Sequence, residues 1–231
     1  VNVNKGDDEN PEIRCRIVGK EFNNEKRLYL FAATPPLEAK KLSSSNAVTE
    51  GVGYKNENKA HGMKLMFIDI TRAYYYAKAR RRISIQLPDG DREPGMCGLL
   101  NMSLQGTRDA AQNWEFEYAE FLERISFGKG KASPCLFYTE HRNLRFAVHG
   151  DGFTLLWLID DLNWFQSAIN KKIETKVRGV IGPDPDDDKC IRILNRVIEW
   201  TDQGNEYESY QRHGEIIIHD AGLEVKNPLP L

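Results

Sequence analysis

The chain has 231 residues, of which 40% are hydrophobic and 29% are charged, and its formal net charge at pH 7 is −2. This length can bury a substantial core, and this composition is typical of a globular protein and excludes a wholly disordered one. The small net charge gives no overall attraction to nucleic acid, so such binding would depend on local basic clusters. No apolar run approaches the roughly 20 residues that a membrane-spanning helix needs.

The cysteines and the N-terminal segment carry little chemistry. The cysteines lie far apart along the chain, without the close pairs of most zinc sites, and this spacing predicts free thiols in a reducing compartment. They are Cys15, Cys97, Cys135 and Cys190. Residues 1–12 are polar and predict a disordered leader. Because they include neither an initiator methionine nor a signal peptide, we expect an internal segment of a longer protein.

The first half of the chain is predicted to contain short strands and one or two helices. Residues 13–22 alternate apolar and basic side chains and predict a half-buried strand, whereas residues 37–48 favour a short helix. Residues 63–70 form a compact apolar run that predicts a buried strand, with Asp69 near its C-terminal end. Residues 73–82 are compatible with a helix, and this segment ends in a cluster of basic side chains, Lys78, Arg80, Arg81 and Arg82.

The second half begins with a short strand at 83–87. Apolar residues at intervals of three and four predict an amphipathic helix over 107–127. After a short strand at 136–138, residues 146–158 read as a strand, an Asp-Gly turn and a second strand. A further helix is predicted over 160–172, with Asp160 or Asp161 as its cap.

The C-terminal region completes a mixed pattern. Residues 190–200 and 206–210 predict two strands around a turn at 202–205, and residues 212–223 favour a helix. Strands and helices that follow one another without regular alternation indicate the α+β class.

Two acidic residues stand out chemically. Asp69 ends a buried strand, and Asp151 lies at the tip of the predicted hairpin. Carboxylates in such places are costly unless paired, and a divalent cation is a natural partner. Polymerases that transfer nucleotides use such acids to hold two metal ions. The structural alternative is a buried aspartate that caps a turn.

Short segments in a fixed order carry a family resemblance. They are Arg14 to Phe22, Phe31 to Pro36, Phe67 to Tyr74, Met102 to Trp114, Ser133 to Phe137, Val148 to Gly152, Leu194 to Glu199, Tyr210 to Arg212 and Val225 to Leu231. In order and spacing they resemble motifs of the reverse transcriptase of copia-type retrotransposons. No single motif carries the assignment; the ordered series does.

The resemblance implies a right-hand polymerase fold with an antiparallel palm sheet flanked by helices. The reverse transcriptase domain would span residues 13–224, with fingers from residues near 13–60 and 83–127. A primer-grip hairpin would lie near 190–210, and residues 225–231 would be a linker towards a missing C-terminal region. Integrase and RNase H modules would lie outside this part of the polyprotein.

The resemblance also implies an activity and its residues. Asp69 and Asp151 would hold two Mg²⁺ ions for RNA-directed DNA synthesis, and Tyr74 would act as a steric gate against ribose. Arg16 and Lys20 would meet the incoming triphosphate, for which basic side chains are suited. The partners would be an RNA or DNA template-primer and deoxynucleotide triphosphates, inside the cell, in a cytoplasmic particle or the nucleus.

Departures from the family motifs predict an impaired enzyme. Gly152 stands where a third catalytic carboxylate is expected, and losing one such ligand commonly costs about a hundredfold or more in rate. Asp109 replaces a glutamine that would contact the nucleotide, and Gln105 replaces a tyrosine. The alternatives are a non-catalytic nucleic-acid-binding remnant and a translated pseudogene that never folds.

Other charged groups have structural explanations. Asp160 and Asp161 could serve an unrelated metal hydrolase, but acids at the start of a helix are favoured by its dipole. The basic cluster Lys78 to Arg82 could bind template backbone, act as a nuclear-import signal, or only complement a helix end. The acidic run from Asp184 to Asp188 reads as a loop and lacks a calcium-binding pattern.

Overall fold

The structure is a computed structural model that describes residues 2–4, 10–22, 30–55, 61–194, 196–208 and 211–223. The strands in chain order are β1 (Asn2–Asn4), β2 (Ile13–Cys15), β3 (Lys64–Ile70), β4 (Ser84–Ile85), β5 (Gly98–Leu99), β6 (Gly128–Lys129), β7 (Leu136–Thr139), β8 (Leu144–His149), β9 (Gly152–Trp157), β10 (Thr175–Ile181), β11 (Cys190–Ile193), β12 (Arg196–Thr201) and β13 (Gly204–Tyr207). The helices are α1 (Leu37–Val48), α2 (Ala110–Arg124), α3 (Ile159–Asn170) and α4 (Gln211–Asp220), with 3-10 turns at Ala73–Tyr76 and Asp89–Asp91.

A six-stranded sheet in the order β10-β3-β9-β8-β7-β6 organises these elements, and its neighbouring strands all run antiparallel. A smaller sheet has the order β11-β12-β13, and β1-β2 and β4-β5 form two-stranded pairs. Within the described residues, four α-helices accompany these mostly antiparallel sheets. The α+β class predicted from the sequence is therefore confirmed.

Both faces of β3 are covered, which explains its continuous apolar sequence. Successive side chains of a strand point to opposite faces. Met66 and Ile68 belong to the core cluster that contains side chains of α2 and α3. Leu65 and Phe67 belong to a second cluster that contains side chains of α1 and of the three-stranded sheet. The C-terminal end of β3 is thus fixed from both sides.

Several predicted elements are confirmed in the structure. Helix α1 has the predicted bounds, and β3 and the β8–β9 hairpin lie where the sequence indicated. Helix α2 is shorter than predicted at both ends, and α4 begins one residue earlier and ends three residues earlier than predicted.

The helix predicted over residues 73–82 is wrong beyond its first turn. After the 3-10 turn at Ala73–Tyr76 the chain is extended, and Lys78 forms an isolated antiparallel bridge with Met102. The N–H of Ala79 donates to the carbonyl of Asn101 at 3.1 Å. Pairing with this distant segment replaces the helical hydrogen bonds, which local propensity cannot anticipate.

The strand predicted over residues 13–22 is also wrong after Cys15. The chain continues there without regular strand pairing, and the N–H of Gly19 donates to the carbonyl of Gln105 at 2.7 Å. Similarly, the strand predicted over 190–200 is interrupted at Leu194, whose φ of 51° makes a left-handed turn between β11 and β12.

The ends of the chain add little to the site. Residues 2–4 form β1 against β2, in a segment for which the sequence predicted a disordered leader. The predicted linker at 225–231 lies outside the described residues.

The four cysteines are free thiols, as predicted. Among the described helices, none is both long and apolar enough to cross a membrane.

Candidate functional site at the C-terminal end of β3

The fold brings Asp69 and Asp151 to the same edge of the large sheet. Asp69 is the register partner of Gly152, the residue that follows Asp151. The N–H of Ile70 donates to the backbone carbonyl of Asp151 at 2.9 Å. Two acids that lie 82 positions apart in the sequence are therefore neighbours across one strand pair.

The hairpin that carries Asp151 is tightly held. Its two-residue loop is Gly150-Asp151, one position earlier than the predicted Asp-Gly turn. Gly150 has a φ of +64°, a conformation that glycine adopts without steric cost. The buried indole of Trp114 in α2 donates to the carbonyl of Gly150 at 2.9 Å and stacks on Phe153. The loop is thereby anchored to the helix behind the sheet.

The electrostatics of this edge are unfavourable to paired acids. Burial raises the pKa of Asp69, and the negative charge of Asp151 raises it further. The positive charges of Arg178 and Lys176 on β10 lower that pKa in part, but the net direction is upward. A carboxylate held near a second one is stabilised by any cation that reaches both.

Tyr74 lies close enough to Asp151 to be affected by its charge. It lies half-buried in the 3-10 turn after β3, and its pKa is raised by burial and then by the charge of Asp151. Its neighbours point elsewhere, because Tyr75 is exposed and the hydroxyl of Tyr76 accepts a hydrogen bond from the N–H of Glu174 at 3.0 Å.

Arg16 and Lys20 lie in the segment that follows β2. Both side chains are exposed, and Lys20 lines an open cleft of about 860 Å³. Arg82 and Arg92 also line this cleft, together with apolar side chains. The sequence predicted one nucleotide site for all five residues; Lys20 lines this cleft, whereas Asp69 and Asp151 are not among its lining residues.

Asp109 has a role that the sequence did not reveal. Its side chain is buried and receives hydrogen bonds from Arg81 at 3.0 Å and from the Asn113 amide at 3.1 Å. Burial alone would raise the pKa of Asp109, but these hydrogen bonds lower it overall. Arg81 also pairs with Glu21, so the network ties the N-terminal segment to the start of α2. Asp109 is thus a buried member of this network.

Gly152 and His149 face each other beside Asp69. They are register partners at the mouth of the hairpin. A Cβ atom added at Gly152 would meet the carbonyl of His149 at 3.4 Å, so a larger residue fits there with little adjustment. Burial lowers the pKa of His149, and the charge of Lys40 on α1 lowers it further. This imidazole is therefore mostly neutral at pH 7.

The rival acids Asp160 and Asp161 form no comparable site. Asp161 makes an ion pair with Arg142 at 2.6 Å, and this guanidinium lies 4.0 Å above the ring of Trp164. Helix α3 begins after Leu158 and has no side-chain cap, so the predicted capping role is wrong. Both acids lie in the first turn, where the helix dipole favours negative charge.

The donor set at the β3 edge suits at most a weakly held ion. In the described part of the chain, no three His, Cys, Asp or Glu side chains group closely enough to hold a metal ion. Mg²⁺, however, often binds through one or two carboxylates and completes its shell with water and substrate phosphates. Asp69 and Asp151 could supply those carboxylates.

Sequence reasoning missed β10, which supplies Lys176 and Arg178. The alternation of Lys176, Val177 and Arg178 is a strand signal, but it is short and runs into a loop rich in glycine, proline and aspartate. The two valines packed against the core, Val177 and Val180, show why the strand forms.

Comparisons with known proteins identify no family. No protein-family model matches the chain, and no solved structure gives a significant match. The fold and the site define an α+β protein with paired carboxylates at one sheet edge. A more specific assignment depends on the motif series and is a proposal.

Proposed function

We propose that the chain is the fingers and palm part of a copia-type retrotransposon reverse transcriptase with an impaired catalytic site. The observation that carries this proposal is the juxtaposition of Asp69 and Asp151 across β3 and the β8–β9 hairpin. The motif series required these acids to meet, although they come from distant segments. A fold that left them apart would have removed the basis for the proposal.

The proposed reaction is addition of a deoxynucleotide to a primer 3′-end. Bound Mg²⁺ would activate the 3′-hydroxyl and neutralise the charge that develops on the leaving pyrophosphate. Asp69 and Asp151 would hold that ion at this end of the sheet. Tyr74 would pack beneath the sugar and exclude a 2′-hydroxyl. Trp114, which donates a hydrogen bond to the carbonyl of Gly150, would help to hold the hairpin that carries Asp151.

Gly152 is the reason to expect weak activity. It faces Asp69 in the strand register, so a carboxylate at this position would point to the same side of the sheet. Since the space at Gly152 admits a side chain, nothing in the local packing opposes Gly152→Asp.

Primer extension on a homopolymer template tests this proposal. We expect slow Mg²⁺-dependent extension by the native chain, its loss in Asp69→Ala and a gain in Gly152→Asp of about tenfold or more. Asp160→Asn, which changes an exposed acid of α3, is the matched control and should extend like the native chain. Extension that persists in Asp69→Ala would overturn the assignment of the site.

A non-catalytic nucleic-acid-binding remnant is the second candidate. The cleft lined by Lys20, Arg82 and Arg92 favours it, because apolar side chains that could contact bases line the same cleft. This reading predicts salt-sensitive binding of a template-primer but no extension, even by Gly152→Asp. Fluorescence anisotropy with a labelled template-primer, run beside the extension assay, distinguishes the two candidates.

A further inference from the structure

A β-bulge in β10 directs Arg178 towards the acidic edge. Val177 pairs with Ile68 and Gly179 with Phe67, so Arg178 is an extra residue without a partner position on β3. Bulges re-aim the side chain of the extra residue and are common beside functional sites. Here the Nη1 atom of Arg178 lies 3.9 Å from the Oδ2 atom of Asp69.

Gly179, the residue after Arg178, allows close packing next to the bulge. A Cβ atom at Gly179 would lie 2.7 Å from Oδ2 of Asp188 and 2.9 Å from Cδ1 of Ile191. Asp188 in turn accepts a hydrogen bond from the N–H of Val180 at 2.9 Å. Glycine at 179 thus lets the loop after β10 pack closely against the strand, which holds Arg178 in its bulged position.

Lys176 adds a second positive charge at the same place. It is the register partner of Asp69, and its charge acts on that carboxylate together with the charge of Arg178. The edge therefore combines two acids with two cations that belong to the chain itself. A divalent ion arriving at Asp69 meets like charge from β10 on one side.

We propose that Arg178 is a built-in counter-ion of Asp69 that competes with a divalent cation and keeps its affinity low. This inference rests on the proposed function, because it concerns the same metal-ligating acid. Arg178 and Asp69 are each about half exposed, so solvent weakens their attraction. Removing the guanidinium should therefore tighten cation binding about threefold to tenfold, and no more.

The test is a titration of the full chain with Mn²⁺, with the free ion measured by electron paramagnetic resonance. Arg178→Gln should bind Mn²⁺ more tightly than the native chain, whereas Arg178→Lys, which keeps the charge, should bind about as the native chain does. Arg192→Gln removes an arginine from an exposed position on β11 and is the matched control. It should leave the affinity unchanged.

The double variant Arg178→Gln with Asp69→Asn separates this inference from the proposed function. Loss of the added affinity in the double variant supports both. Equal Mn²⁺ affinity of the native chain and Arg178→Gln, with binding that still depends on Asp69, overturns the counter-ion inference alone. If neither protein binds Mn²⁺ through Asp69, the metal site of the proposed function fails as well.

Discussion

The two ends of β3 differ in how far nearby cations neutralise the acidic side chains. At the N-terminal end, the buried Nζ atom of Lys64 lies 2.7 Å from Asp184 and 2.6 Å from Asp187. At the C-terminal end, Asp69 lies near Asp151, and the Nη1 atom of Arg178 is 3.9 Å from its carboxylate. The strand thus carries one neutralised acidic cluster and one that is only partly neutralised.

This difference shows which acids are available for chemistry. Asp184 and Asp187 are occupied by Lys64, and the pKa of Asp184 is lowered by its hydrogen bond from that lysine. The pKa of Asp69 is raised instead, by burial and by a second acid. A cluster of aspartates in the sequence is therefore a poor guide to the position of a functional site, because the acidic run from 184 to 188 has mainly a structural role.

The largest effect is expected at the neutralised end. Lys64→Met leaves Asp184 and Asp187 without their shared cation, and we expect the free energy of unfolding to fall by about 3 kcal/mol. Urea denaturation at pH 7 measures this. Lys131→Met, at an exposed position, is the control and should change stability by less than about 0.5 kcal/mol. A loss at Lys64 no greater than at Lys131 would remove the contrast between the two ends.

The same end should respond to acid. Because the folded-state pKa of Asp184 is lowered, its contribution is present above the unfolded-state pKa near 4 and is lost as pH falls through the folded-state pKa. The native chain should therefore lose stability below about pH 4 more steeply than Lys64→Met. Parallel pH profiles of the two proteins would contradict this.

An intermediate effect is expected from Gly152→Asp. A third acid facing Asp69 adds like-charge repulsion, so without metal the protein should lose about 1 kcal/mol of stability. Mg²⁺ binds only the folded site and should restore the loss. Thermal unfolding with and without Mg²⁺ measures both effects.

Gly128→Asp is the control for that substitution. Gly128 also lies in a strand, and a Cβ atom there would likewise meet only a backbone carbonyl within 4 Å, that of Tyr138 at 3.6 Å. Its unfolding temperature should not depend on Mg²⁺ more than that of the native chain. An equal Mg²⁺ response of the two variants would show that the response does not come from the Asp69 edge.

The smallest effect is expected from Asp69→Asn, and its sign is opposite to that of Lys64→Met. The folded-state pKa of Asp69 is raised, so the folded protein favours the protonated carboxyl group. This contribution to stability is present at low pH and is lost as pH rises through the folded-state pKa, where the carboxyl group ionises. The variant should be more stable than the native chain at pH 7, by less than about 1 kcal/mol for a half-exposed group. The gain in stability should vanish below about pH 4. A lower stability of Asp69→Asn than of the native chain at pH 7 would contradict this prediction.

The two ends of β3 also differ in whether their contacts could be predicted from the sequence. The meeting of Asp69 and Asp151 was predictable, because a buried strand and a glycine-containing hairpin are local signals and the motif series related them. The pairing of Lys64 with Asp184 and Asp187 was not, because it depends on how the loop after β10 folds back on β3. The bulge at Arg178 depends in the same way on register, which no local pattern fixes.

Long-range pairing explains the other differences. The segment after Tyr76 has helical propensity, but it pairs with residues 101–103. Asp109 replaces a glutamine in a motif, and in the structure its buried side chain accepts hydrogen bonds from Arg81 and Asn113. In each case a partner far away in the sequence decided the outcome.

The most direct test of the account is a crystal of the chain soaked in Mn²⁺ and measured for anomalous scattering. We predict a peak at the C-terminal end of β3, within about 2.5 Å of a carboxylate oxygen of both Asp69 and Asp151. A peak at Asp184 and Asp187 instead, or none at the Asp69 edge, would contradict the claim that these two acids form the metal site.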